Sequence, residues 1–296
     1  MKTFCNFCPR HCQTDRTTSV GFCGATNEIK INKIMLHYWE EPIISGTDTT
    51  PKKGSGAIFF SHCNLQCVYC QNYDISHGDY GKSYTPKQLA QVFYQLEKQG
   101  ATNINLVTPT HYSLLILQAL KIYKPAIPVV WNTGGFESPE IILQLKGFVD
   151  IFLTDFKYYD DALALKYSGA KNYCSTAIAS LRAMRQICPQ DEICDGLMKR
   201  GIIVRHLVLP NHTEDSKNVL NTIVSVLGKS TIVSLMSQYI PVGHAKDFPE
   251  LNRKLKPIEY KVVKNYMYKL GLDGFVQQLE SANQQYIPNF DTNTQH

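Results

Sequence analysis

From residue 57 onward, short apolar runs alternate with amphipathic helical segments, and that alternation leaves few folds open. The runs at 57–60, 103–107, 128–132, 150–156, 202–209 and 231–239 are apolar at most positions, as strands covered on both faces are. Helical periodicity fills the gaps. In 86–100, Leu89, Val92, Phe93 and Leu96 fall on one face, with Pro86 near the start and Gly100 after the end. Ser113 opens a second helix, and Ser138-Pro139-Glu140 opens a third that Gly147 ends. Asp215-Ser216 caps a fourth, with Val219, Leu220, Ile223, Val226 and Leu227 inward and Gly228 as its stop. Six strand–helix repeats predict an α/β fold of parallel strands joined by right-handed crossovers. Periodicity does not separate an open sheet from a barrel. No G-x-G-x-x-G follows any strand, which counts against a dinucleotide-binding sheet. In either architecture, ligands gather at the C-terminal ends of the strands.

Ten cysteines in 296 residues need a reason, and seven of them form two tight groups. A secreted disulfide scaffold would be shorter and would carry a signal peptide, whereas MKTFCNFCPRHCQ lacks the apolar stretch of one. Clustered thiols then point to metal. Cys63-x3-Cys67-x2-Cys70 directly follows the run 57–60, so one loop can place three thiolates around one corner of an iron–sulfur cube. A cubane has four irons, so three ligands leave one iron open to a small chelating cofactor. Zinc would want a fourth ligand, for which His62 or His77 is available. Cys5-x2-Cys8-x3-Cys12-x10-Cys23 supplies four thiolates, enough to close a shell around zinc or a second [4Fe–4S] cluster, and spacing does not choose. A module this short, with few apolar residues, needs such a metal to fold, and Arg10 and His11 would offset thiolate charge. Cys174, Cys188 and Cys194 are scattered and are expected to be buried structural thiols.

The rest of the composition sets limits. Hydrophobic residues make up 44% of the chain and charged residues 19%, the balance of a well-cored globular protein. The net charge of +5 permits an acidic partner but does not argue for nucleic acid without a basic patch; Arg253, Lys254, Lys256, Lys261, Lys264 and Lys269 read as a solvated helical face. With no run of about 18 apolar residues, a membrane partner is not expected and the protein should be cytoplasmic. The expected division is a Cys-rich module with a weakly periodic connector (1–50), a core (51–250), and a C-terminal helix with a frayed tail at 291–296 (251–296).

The segments GSGAIFFSHCNLQCVYCQNYDIS, NLVTPTHY, WNTGGFE, DIFLTDFKYYD, IVRHLVLPNHTEDS and SLMSQYIP together resemble the successive strand-end motifs of the radical S-adenosylmethionine (SAM) superfamily. They are similar in particular to pyruvate formate-lyase activating enzymes, in a subgroup with a Cys-rich N-terminus. The resemblance implies a partial (β/α)6 barrel with a small Cys-rich N-terminal module, and a [4Fe–4S] cluster on Cys63, Cys67 and Cys70. It implies SAM as cofactor, cleaved by an electron to methionine and a 5′-deoxyadenosyl radical that abstracts hydrogen. It also implies a glycyl radical enzyme or other protein as substrate, and flavodoxin or ferredoxin as electron donor. A small molecule, peptide or RNA is the alternative substrate, and a non-catalytic zinc protein the alternative class. Position by position, Tyr69 resembles the aromatic near SAM's adenine. Thr108 and Thr110 stand where a Gly-Gly-Glu-Pro turn holds SAM's amino group, with the glycines and glutamate absent. Asn132 replaces an acid that contacts ribose or a cation. Asp155 and Lys157 match an Asp-Leu-Lys, and Lys157 or Arg205 would meet the methionine carboxylate. His206 should point away from Arg205 into the core.

Overall fold

The computed structural model describes residues 4–278, 288–290 and 292. In chain order the elements are β1 (Ile29–His37), α1 (Pro42–Ser45), β2 (Ser55–Phe60), α2 (Tyr73–His77), β3 (Lys82–Tyr84), α3 (Pro86–Lys98), β4 (Ile104–Val107), α4 (Ser113–Ile122), β5 (Val129–Thr133) and α5 (Pro139–Gln144). They continue with β6 (Ile151–Asp155), α6 (Asp161–Ser168), α7 (Tyr173–Ile187), β7 (Glu192–Cys194), β8 (Leu197–Leu207), α8 (Thr213–Leu227), β9 (Ile232–Met236), α9 (Pro257–Lys269) and β10 (Asp273–Val276). One sheet runs in the order β10-β9-β8-β6-β5-β4-β2-β1-β3, with β7 paired to β8. From β2 to β10 along that path every neighbouring pair is parallel, while β1 and β3 extend the β2 edge in antiparallel fashion. All six expected strands are present within a few residues of their predicted ends. They are buried because helices cover the sheet; Trp131, Phe152 and Val204 have no exposed surface, and each such side chain contributes about 1.5–3 kcal/mol by leaving water.

Local signals explain most helix starts. Thr85 and Gln88 form a capping box ahead of Pro86 at the start of α3. Ser138 precedes Pro139 at the start of α5, as the sequence predicts, though its hydroxyl goes to Glu140 at 2.5 Å instead of to the backbone. The expected Asp215 cap is corrected: α8 begins earlier, at Thr213. The Asp215 carboxylate is spent on the backbone N–H groups of Tyr159 and Asp160, at 3.2 and 2.8 Å, tying the β6–α6 loop to α8.

Four strands were not foreseen: β1, β10 and the short β3 and β7. The connector forms β1, whose alternation is hidden by a register shift between Ile31 and Lys33. β10 adds a seventh parallel strand. Gly274 has φ +141°, and a Cβ there would lie 2.1 Å from the Val233 carbonyl oxygen, so only glycine lets β10 lie against β9. The one sheet therefore crosses both boundaries of the expected three-part division. The tail expected to fray, 291–296, lies outside the described residues except for Thr292. Of the scattered thiols, Cys188 is buried as expected, but Cys174 is half-buried and Cys194 is exposed on the short hairpin β7–β8.

Candidate functional site

A cavity of about 570 Å³ is lined by residues from the C-terminal end of every parallel strand. Phe59 comes from β2, Val107 from β4, Asn132 and Thr133 from β5, Asp155 from β6, Arg205 and Leu207 from β8, Ser234 and Met236 from β9, and Phe275 and Val276 from β10. In a flat sheet, β2 and β10 would stand about 29 Å apart at the usual strand spacing. Both edge one cavity, so the sheet curls around it.

Two residues next to this mouth are held in the left-handed region. His62 (φ +70°) turns the chain out of β2, its N–H bonded to the Ile75 carbonyl at 2.7 Å, and so launches the cysteine loop. Thr108 (φ +62°), β-branched, follows β4 and binds the Asn132 carbonyl through its N–H at 2.8 Å. Such conformations cost about 1–3 kcal/mol each and concentrate where a backbone must present itself to a ligand. After β5, Gly135 (φ +79°) lies so close to β6 that a Cβ would stand 2.0 Å from the Asp155 carbonyl oxygen. That close approach brings the β5 and β6 ends together.

Cys63, Cys67 and Cys70 all line the cavity. Burial, reinforced by the neighbouring thiols, pushes Cys70 up to about 11 and Cys63 higher still. Each sulfur has a hydrogen-bond donor: the Leu65 N–H to Cys63 at 3.4 Å, the Ser168 hydroxyl to Cys67 at 2.9 Å, and the Ser76 hydroxyl to Cys70 at 3.5 Å. His62 is paired with Asp79 at 3.1 Å and His77 with Ser76 at 2.8 Å, and neither lines the cavity. The donor set is thus three thiols with no closing fourth ligand, which fits a cubane with one open iron better than structural zinc. Among the described residues no three Cys, His, Asp or Glu side chains, these thiols included, are grouped so as to hold a single metal ion.

Of the residues expected to meet SAM, Tyr69, Thr108, Asn132, Asp155, Lys157 and Arg205 share the cavity wall. Thr110 does not. It is buried, and its hydroxyl donates with that of Thr133 to Glu137, whose carboxyl burial pushes up to about 7. Lys157 is paired with Asp155 at 2.5 Å; burial would lower its pKa, but Asp155 and the Cys67 thiol hold the ammonium well above its usual range. Arg205 is already engaged. Its Nε and Nη2 take both oxygens of Glu41, at 2.7 and 2.6 Å, and Nη2 also donates to Glu40. Asn105 donates to Glu40 at 2.8 Å. Burial would raise the Glu41 carboxyl, and the guanidinium outweighs it and holds it down. Glu40 and Glu41 were not foreseen, because they lie in the connector after β1 with no local motif to mark them. His206 is buried behind the wall, its Nδ1 2.7 Å from the Phe156 carbonyl, as strand alternation requires.

The N-terminal thiols influence one another electrostatically without being grouped as a metal-ion site. Cys5, Cys8 and Cys23 are buried and Cys12 is half-buried. Burial pushes Cys8 up to about 12, with Cys23 and Cys5 adding to it, and Cys23 in turn feels Cys5 and Cys12. Arg10 links the two groups electrostatically: its guanidinium feels Cys8 and Cys23 as well as Cys63 and Cys67.

Comparison with known proteins places these features. The family profile described as the Radical SAM superfamily matches residues 57–223. The uncharacterized protein MJ0674 of Methanocaldococcus jannaschii is 32% identical over 278 residues, covering 91% of this chain and 75% of that protein. Among solved structures, Streptococcus suis SuiB bound to its precursor peptide SuiA superposes with a TM-score of 0.50 at 12% identity, over 74% of this chain. This chain spans about half of SuiB, 48% of its length, and the likeness is one of fold.

Proposed function

The chain belongs to the radical SAM superfamily, and from that premise we propose that Cys63, Cys67 and Cys70 hold a [4Fe–4S] cluster with SAM beside it in a partial (β/α)6 barrel. The observation that carries this is the three-thiol loop opening on the cavity that all seven parallel strand ends share. When bound, the pair supplies reductive cleavage of the sulfonium to methionine and a 5′-deoxyadenosyl radical, which takes a hydrogen atom from the substrate. The protein's own residues orient and exclude. Lys157 faces Cys63, Cys67 and Cys70 electrostatically, so its ammonium is the cation placed to meet a carboxylate chelating the open iron. Tyr69 offers an aromatic wall, Asn132 an amide for ribose hydroxyls, and Thr108 a backbone turned toward the cavity. Arg205, being engaged by Glu40 and Glu41, is assigned to holding the cavity wall together.

Reduced, anaerobically reconstituted protein should convert SAM to 5′-deoxyadenosine and methionine, read by chromatography. Lys157→Ala should bind SAM about ten- to a hundredfold more weakly while keeping its iron, the cost of one charge-assisted hydrogen bond. The double variant Asp155→Asn/Lys157→Ala controls for the carboxylate left behind. SAM affinity like the parent's in both variants would move the cofactor elsewhere.

The substrate is proposed to be a polypeptide, with the α-hydrogen of a glycine in a partner glycyl radical enzyme as the abstracted atom and a flavodoxin or ferredoxin as electron source. Gln71, Asn72, Gln238 and Gln277 line the cavity with amides suited to the N–H and C=O groups of an extended chain. The solved SuiB, of like fold, holds a precursor peptide, which favours peptide modification as the second reading. Among the described residues, no helix is long and apolar enough to cross a membrane.

Cys5, Cys8, Cys12 and Cys23 are proposed to hold a structural metal, zinc or a second cluster. Four neighbouring thiols with the Arg16 guanidinium 3.9 Å from the Cys5 sulfur are a donor set suited to either. Cys23→Ala should lower the melting temperature and the metal content, both measurable on one preparation, while folded protein keeps SAM cleavage. Complete loss of cleavage in well-folded Cys23→Ala would assign these thiols to electron transfer.

A further inference from the structure

The Cys67 sulfur is met by a chain of three hydroxyls that the chemistry above does not use. Ser168 Oγ donates to Cys67 Sγ at 2.9 Å, Tyr158 Oη lies 2.7 Å from Ser168 Oγ, and Tyr69 Oη lies 2.5 Å from Tyr158 Oη. All four residues are buried, Tyr158 and Ser168 completely. The geometry is built in by backbone. Main-chain bonds flank Cys67 on both sides, from Gln66 N–H to the Ser168 carbonyl at 3.1 Å and from Val68 N–H to the Tyr167 carbonyl at 2.9 Å. They lay the last turn of α6 along the cysteine loop. Arg10 clamps the same turn from the N-terminal module, donating to the Asn64 carbonyl at 2.8 Å and to the carbonyls of Ser168 and Gly169.

Resting on the reading that Cys67 ligates iron, we propose that Ser168 is a positioning residue that raises the reduction potential of the cluster, and that Tyr158 and Tyr69 strengthen its hydrogen bond from the cavity side. An iron-bound thiolate carries no proton, so it can only accept and Ser168 must donate. The serine oxygen is then free to accept from the Tyr158 hydroxyl, and Tyr158 in turn from Tyr69. One proton ordering satisfies the chain, and each donor polarises the next. Donors to a cluster sulfur favour the more electron-rich, reduced state, so the potential rises. Among the three thiols, Cys67 has the shortest such bond. Tyr69 lines the cavity while Tyr158 and Ser168 do not, so the chain runs from the cavity wall through buried hydroxyls to the Cys67 sulfur. Reduction itself adds one electron from an external low-potential donor, and no proton leaves the chain.

The test is potentiometric titration of the reconstituted protein with dithionite, followed by electron paramagnetic resonance. The signal read is the one lost when Cys63, Cys67 and Cys70 are replaced. Ser168→Ala should make the cluster about three- to tenfold harder to reduce, tenfold being about 59 mV for one electron. Tyr158→Phe should shift it in the same direction by less, and Ser168→Thr should restore the parent value. Parent-like potentials in Ser168→Ala and Tyr158→Phe, at parent-like iron content, would overturn the proposal. If Ser168→Ala holds no iron, Tyr158→Phe decides alone: a lowered potential supports the chain and an unchanged one refutes it. A parent protein that builds no cluster at these cysteines would refute the ligation reading instead.

Discussion

Protein in which Cys63, Cys67 and Cys70 are all replaced by alanine should lose about four irons per chain relative to the parent, and its SAM cleavage should fall to background. The expectation follows from position as much as from residue type. The three sulfurs line one cavity, each is met by a hydrogen-bond donor, and each comes from the loop that His62 turns out of β2. Replacing them removes the anchor while leaving the strand ends intact, because the loop is also held by main-chain bonds to α6. The variant should therefore fold, and its circular dichroism should match the parent's. Replacing Cys174, Cys188 and Cys194 together should leave the iron count unchanged, since those thiols are apart from the cavity. Equal iron in the parent and the Cys63/Cys67/Cys70 variant, measured colorimetrically and by electron paramagnetic resonance, would remove the basis of the proposed function.

The parts of this site legible in the sequence are those whose cause is local. Three cysteines on one loop, a run of β-branched and aromatic residues before them, and helix starts marked by Thr85-Pro86 or Ser138-Pro139 are short-range patterns, and the structure keeps them. Strand alternation likewise separates Arg205, on the cavity wall, from His206 behind it. What escaped is non-local. Ser168 meets Cys67 across a separation of 101 residues, and Glu41 meets Arg205 across 164. Neither partner stands in a motif; only the curl of the sheet and the fold-back of the connector bring them together. β10 escaped for a related reason. Its pairing depends on Gly274 lying against Val233, and the pair Asp273-Gly274 reads locally as a turn.

The Arg205 network gives the second large effect, and it separates a structural role from a cofactor role for the same residue. Arg205→Ala should destabilise the fold by about 3–5 kcal/mol, the cost of leaving buried carboxylates without their counter-charge. The side chains of Glu40 and Glu41 are 9% and 5% exposed, and one guanidinium serves both. In the parent, Arg205 holds the Glu41 carboxyl below its usual 4.5, so this pair adds stability that is present above that pKa and lost as pH falls through the depressed value. Without the arginine, burial, the largest influence, is opposed only by hydrogen bonds from Ser234 and the Glu41 backbone, so the carboxyl should rise relative to the parent's, and the variant gains relative stability as the pH falls and the group takes up a proton. The gap between parent and Arg205→Ala in urea denaturation should therefore be widest near pH 8 and narrower near pH 5. Adding Glu41→Gln to Arg205→Ala should recover part of the loss, because a neutral amide tolerates burial without a cation. Arg205→Lys should fall between the two, since a single ammonium cannot span both oxygens of Glu41 while also reaching Glu40. If Arg205 instead served the methionine carboxylate, Arg205→Ala would unfold at the parent's urea concentration and show its defect only in SAM affinity. An unchanged denaturation midpoint at pH 8 would thus return Arg205 to the cofactor, whereas a large shift with normal SAM binding in the surviving folded protein leaves that carboxylate to Lys157.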